Sequence, residues 1–276
     1  MAGFEWQDCR VETETDQSGT TRRGHRTPSR PRHPRPSFAG VLGELLITLG
    51  VVALLYVAWQ FWIGDMIYGA QARNDGEALS ERWVQEYVTP NADPTTSPRP
   101  AAGTPAPVEP PLLEQPADAE TFANIRIPRF GADYVFEVAG GTSRARTLDT
   151  VRVGHYPGSE MPGQVGNFAL AGHRTTFGAP FNRLAELQVG DAIVIEAPNG
   201  WYTYRFRNHQ YVVPTQVDIL LDVPQKPDVP AGGRYLTMTS CSPIGSLAER
   251  IVGYSIFESY TPRSEGEPAS LSPPTS

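Results

Sequence analysis

Residues 192–207, AIVIEAPNGWYTYRFR, decide the class of fold. Ala192–Ile195 is a short apolar run, and Asn199-Gly200 is the strongest dipeptide signal for a tight hairpin turn. Beyond it Tyr202, Tyr204 and Phe206 alternate with Thr203, Arg205 and Arg207, the period of a half-buried strand. Working outward, further strands are predicted at Asn124–Ile127, Tyr134–Val138, Gly166–Ala171, Gln210–Val213, Tyr235–Ser240 and Ile251–Phe257. One helix is predicted inside this region, at Pro180–Leu187, with Phe181, Leu184 and Leu187 on one face. Seven or eight short strands with one or two helical turns make a mostly β domain, a barrel or a sandwich, over residues 120–260.

The N-terminal part is built differently. Leu45–Ile63, LLITLGVVALLYVAWQFWI, is uncharged, and extended back to Phe38 the apolar stretch is long enough for a single transmembrane helix, which needs roughly 20 residues. Trp59 and Trp62 near its end suit a membrane interface. Its length and position argue for a signal anchor over 38–64 rather than a cleaved leader. Arg22, Arg23, Arg26, Arg30, Arg32 and Arg35 precede it, whereas Asp65, Asp75, Glu77, Glu81 and Glu86 follow, so the N-terminus is expected in the cytoplasm and the β domain outside. Residues 1–37, rich in Arg and Pro, read as a disordered cytoplasmic tail, and 261–276 as a disordered C-terminal tail. Between anchor and domain, 65–119 reads as a juxtamembrane helix, with Leu79, Trp83 and Tyr87 four apart, followed by a Pro-rich spacer. A chain starting near residue 118 is therefore expected to fold alone.

A net charge of −7 speaks against a nucleic-acid binder. Two cysteines, Cys9 and Cys241, exclude a disulfide scaffold and a Cys-rich metal site. No calcium-loop spacing of acids is present, and neither metal nor cofactor is expected. Cys241 ends a strand just before Ser242-Pro243, where the missing proline N–H stops the ladder. A lone thiol there is as readily a buried packing residue as a nucleophile, although export exposes an idle thiol to oxidation. His155 in a turn-like Gly-His-Tyr-Pro-Gly, or His173 at a strand end, could serve as its acid–base partner, while His209 reads as a surface residue. Arg250 opens the next strand and would return beside Cys241 in a hairpin, placed to stabilise an oxyanion or simply to pair with Glu249 or Glu258.

Taken together, GHYPG at 154–158, GNFALAGHRTT at 166–176 and LTMTSC at 236–241 with Arg250 resemble the sortases, most nearly the class E type of actinobacteria. The resemblance covers about 122–258 and implies an eight-stranded sortase-type β-barrel with His173, Cys241 and Arg250 as the catalytic trio. It also implies Tyr156, Thr239 and Ser240 as substrate contacts, Ser240 standing where the family commonly has Thr. The implied reaction is transpeptidation. The thiolate cleaves an LAxTG- or LPxTG-like sorting signal of a secreted protein between Thr and Gly, and a peptidoglycan-precursor amine resolves the thioacyl-enzyme. A pilin-polymerising sortase and a non-catalytic barrel that binds wall peptides are the alternatives.

Overall fold

The computed structural model describes residues 37–59, 64–88 and 109–272. The expected cytoplasmic tail, Trp62 and most of the Pro-rich stretch lie outside them. Helix α1, Phe38–Ala58, has no buried residue and is long and apolar enough to cross a membrane. Helix α2 runs from Gly64 to Val88.

Eight strands follow: β1 Thr121–Arg126, β2 Val135–Gly140, β3 Val153–His155, β4 Gly166–Ala171, β5 Ala192–Ala197, β6 Gly200–Val212, β7 Arg234–Ser242 and β8 Glu249–Pro262. They close a barrel in the order β1-β2-β3-β4-β7-β8-β6-β5. Two of its joints, β2–β3 and β4–β7, are parallel and the others antiparallel. The hairpin at Asn199-Gly200 pairs Ile193 with Tyr204 and Ile195 with Tyr202. These four side chains are fully buried, and with Phe168, Leu170, Phe181, Leu184, Leu236 and Met238 they fill the barrel.

The structure corrects several expectations. Gln210–Val213 is no separate strand, because β6 runs unbroken to Val212 along β8. His155 lies on β3, too short a strand to carry a period. The helix expected at Pro180–Leu187 is only a 3₁₀ turn at Leu184–Glu186. Its apolar residues recur every three positions, the period of a 3₁₀ turn rather than of an α-helix. They do face the core, with Phe181, Leu184 and Leu187 all buried.

The C-terminal segment also packs, contrary to the frayed tail expected after residue 260. The Arg263 guanidinium lies 4.6 Å from the Trp201 ring centroid and donates to Ala197 O at 2.7 Å. Thr203 Oγ1 and Ser270 Oγ are 3.0 Å apart, and Leu271 packs on Ala192, Val194 and Trp201. The face of the β5–β6 hairpin that alternation assigns to solvent is thus covered near its turn.

Helix α2 is more than a tether. Ala72, Leu79 and Trp83 are buried, and Gly76 lets the helix come so close to β2 that a Cβ there would stand 2.7 Å from Val135 Cγ2. Asn124 Nδ2 donates to Gly76 O at 2.8 Å, and Ser80 Oγ donates to Glu196 Oε2 at 2.8 Å. Glu196 is also held by Arg126 and Arg263, so α2 closes a buried polar cluster on the outside of the barrel. Residues just before β1 are bound too: Tyr202 OH donates to Pro111 O at 3.1 Å. A chain starting at 118 therefore loses part of the folded unit. Fully burying a Leu-sized side chain contributes about 1.5–3 kcal/mol. Without Leu79 and Trp83, the melting temperature of a chain starting at 118 is expected to fall about 5–10 °C below that of one starting at 64. Equal melting temperatures by calorimetry would remove α2 from the folded unit.

Candidate active site

The site follows from strand register. In β7–β8, Cys241 is the direct partner of Arg250, and directly opposed residues of an antiparallel pair project to the same face. Strands β4 and β7 run parallel with Ala171 opposite Thr239, so His173, two residues further on, comes level with Cys241. The three residues thus come to one end of the barrel. They line one cleft of about 510 Å³, shared with Tyr156, Arg174, Thr239, Ser240 and Leu247.

Cys241 is half-buried and its thiol is free. Strand β7 ends at Ser242 because Pro243 has no N–H to continue the ladder, which leaves the thiol at the mouth of the β7–β8 loop. His173 has a carboxylate partner: its Nε2 lies 2.7 Å from Asp149 Oδ1, in the turn Leu148–Thr150. With the Nε2 proton given to Asp149, Nδ1 is the nitrogen left to accept one. The ring also stacks on Phe177, centroids 5.3 Å apart.

Arg250 makes no ion pair among the described residues. Its Nη1 donates to Leu247 O at 3.2 Å and Glu249 O at 2.9 Å, while Glu258 is held by Arg205. Its charge therefore has no carboxylate partner among the described residues in the cleft it shares with Cys241, a condition for stabilising a developing oxyanion. Arg174 is buried, and its Nε and Nη1 find no partner.

The remaining candidates fall into two groups. Tyr156 OH and Thr239 Oγ1 are 2.9 Å apart on the cleft wall. Ser240 is buried and its hydroxyl donates to Gly172 O at 2.8 Å, tying β7 to the residue before His173. His155 is outside the cleft. It is packed between Phe122 and Phe168, with Nε2 near Glu160 O and Ser159 Oγ. Burial holds its pKa below the usual imidazole value, so it stays neutral at pH 7. His209 stacks on Phe206 on the exposed part of β6. The described residues contain no group of three or more His, Cys, Asp or Glu able to hold a metal ion.

The Sortase domain family model matches residues 125–255. Sortase SrtE1 of Streptomyces coelicolor is 32% identical over 236 residues, 83% of this chain, and the chain spans 60% of that protein's length. Sortase SrtE2 of the same organism is 29% identical over 250 residues, covering 86% of this chain and 87% of SrtE2. The crystal structure of S. coelicolor sortase E1 with a tripeptide in the active site superposes with a TM-score of 0.53 at 34% identity, over 56% of this chain and 99% of that one. The SrtA sortase from Actinomyces oris gives a TM-score of 0.56 at 33% identity, over 61% of this chain and 97% of that one. The chain belongs to the sortase family. In this sortase, Asp149 and Phe177 are neighbours of His173 that sequence reasoning did not find. Asp149 lies near Arg144, whose Nε is 3.6 Å from the same Oδ1, and nothing in the sequence marks its contact with His173.

Proposed function

We propose that this sortase is a membrane-anchored cysteine transpeptidase in which Cys241, His173 and Arg250 do the chemistry. The thiolate attacks the Thr carbonyl of an LAxTG- or LPxTG-like sorting signal. The tetrahedral oxyanion is held by the Arg250 guanidinium, and His173 protonates the departing glycine amine to leave a thioacyl-enzyme. His173 then takes a proton from an incoming amine of a peptidoglycan precursor, whose attack expels the thiolate and joins the secreted protein to the wall. Helix α1 anchors the chain with its Arg-rich N-terminus inside and the barrel outside the cell. Tyr156 and Thr239 contact the bound signal from the cleft wall.

The observation that carries this reading is the strand register that brings a free thiol, an imidazole paired to a carboxylate and an unpaired guanidinium into one cleft. The tripeptide in the active site of the S. coelicolor relative supports a peptide as occupant. The test is incubation of the full chain with LAxTG and LPxTG peptides and a small amine, followed by mass spectrometry. A product ending at Thr and joined to the amine is expected from at least one peptide. If the folded protein leaves both Thr–Gly bonds intact, the reading fails.

A further inference from the structure

The loop after His173 is strained in an unusual way. Four consecutive residues, Thr176, Phe177, Gly178 and Ala179, have positive φ of 65°, 49°, 77° and 43°. Three of them carry a Cβ and are disfavoured in that conformation, so surrounding contacts must over-determine it. The neighbouring turn repeats the feature, with Val151 at φ 65° just after Asp149. The two segments touch: a Cβ on Gly178 would stand 2.9 Å from Val151 Cγ1 and 3.1 Å from the Phe136 ring.

Helix α2 reaches this place as well. Its Tyr68 ring lies 6.0 Å from the Phe177 ring, and the Phe177 ring also stacks on His173 at 5.3 Å. Phe177 therefore stands between the juxtamembrane helix and the imidazole. A cavity of about 300 Å³ is lined by Tyr68, Gln71 and Asp75 of α2 together with Asp149 and Val151. Both supports of His173, the ring beneath it and the carboxylate on Nε2, thus belong to segments that border α2.

We infer that Tyr68 of α2 and Phe177 are positioning residues: they hold the His173 ring in the orientation that gives Nε2 to Asp149 and leaves Nδ1 for proton transfer. The helix next to the membrane span is then part of the catalytic scaffold. This rests on His173 being the acid–base of the proposed reaction, but the orientation of the ring can be read without turnover.

Phe177→Ala keeps a Cβ in the left-handed conformation, so it removes the ring and leaves the backbone demand unchanged. In the full chain in detergent, Phe177→Ala is expected to lower kcat about tenfold with the peptide KM within about twofold, the pattern of a misplaced catalytic group. Tyr68→Ala is expected to lower kcat about threefold, while Phe177→Tyr and Tyr68→Phe, which keep the rings, stay within about twofold of wild type. NMR of isotope-labelled histidine should report His173 as the Nε2–H tautomer in wild type and as a mixture in Phe177→Ala. Thermal unfolding separates positioning from folding, since the ring is only partly buried. Should Phe177→Ala fail to fold, the two Tyr68 variants decide. A kcat unchanged by Tyr68→Ala, or lost equally in Tyr68→Phe, overturns the inference, as does an unchanged tautomer in a folded Phe177→Ala. An inactive wild type with the Nε2–H tautomer defeats the proposed reaction and leaves the positioning standing.

Discussion

Cys241→Ala is expected to abolish thioacyl-enzyme formation outright while leaving the barrel folded. The thiol sits at the open end of β7 rather than in the hydrophobic core, so its loss removes one half-exposed sulfur and creates no core cavity. The two serine hydroxyls that line the cleft are already engaged. The Ser240 hydroxyl is donated to Gly172 O, and Ser246 Oγ accepts from Ala248 N. A serine hydroxyl is also far less acidic than a thiol, so Cys241→Ser should be equally silent. Intact-protein mass spectrometry after incubation with a sorting-signal peptide should show the acyl adduct on wild type and none on either variant. Cleavage of the Thr–Gly bond by a folded Cys241→Ala variant, even slowed by only about 10²-fold, would place the nucleophile elsewhere.

How much of this site was legible in the sequence depends on the distance over which each residue acts. Cys241 and Arg250 are joined by one short loop, and an antiparallel return is the local rule, so their meeting could be read directly. His173 reaches Cys241 through the parallel pairing of β4 with β7, whose partners lie 68 residues apart, Ala171 against Thr239. No periodicity encodes that pairing, so the residues alone left His155 and His173 undecided and only the family resemblance chose between them. The structure separates them by environment: His155 is sealed between two phenylalanines and His173 opens on the cleft. Asp149, Phe177 and Tyr68 left no local trace, because their importance lies in what they touch. The packing of α2 and of residues 263–271 was missed for a related reason. Both cover polar strand faces through Glu196, Arg126, Thr203 and Ser270, and alternation reads such faces as solvent.

The second large effect distinguishes proton transfer from charge stabilisation. An ordinary thiol is mostly protonated at neutral pH, and a glycine amine leaves an acyl group only if it is protonated as it departs. Both tasks are proposed for His173, which lines the cleft with Cys241, so His173→Ala is expected to lower acylation about 10²–10⁴-fold, the range for a lost general acid–base. Asp149→Asn removes the charge on Nε2 while keeping a polar partner, and a smaller loss of about tenfold in kcat is expected. A guanidinium stays charged in proteins, so the role proposed for Arg250 is electrostatic. Arg250→Ala should cost about 10²–10³, the scale of one oxyanion donor. Arg250→Lys should recover little, because a lysine lacks the planar fork of the guanidinium. His155→Ala is the control. It empties a buried site and should lower the melting temperature, yet the molecules that remain folded should acylate at the wild-type rate. Were His155→Ala to stop acylation in folded protein while His173→Ala left it within about tenfold of wild type, the acid–base role would pass to the wrong side of β3, and the cleft that joins His173 to Cys241 and Arg250 could not be where the chemistry happens.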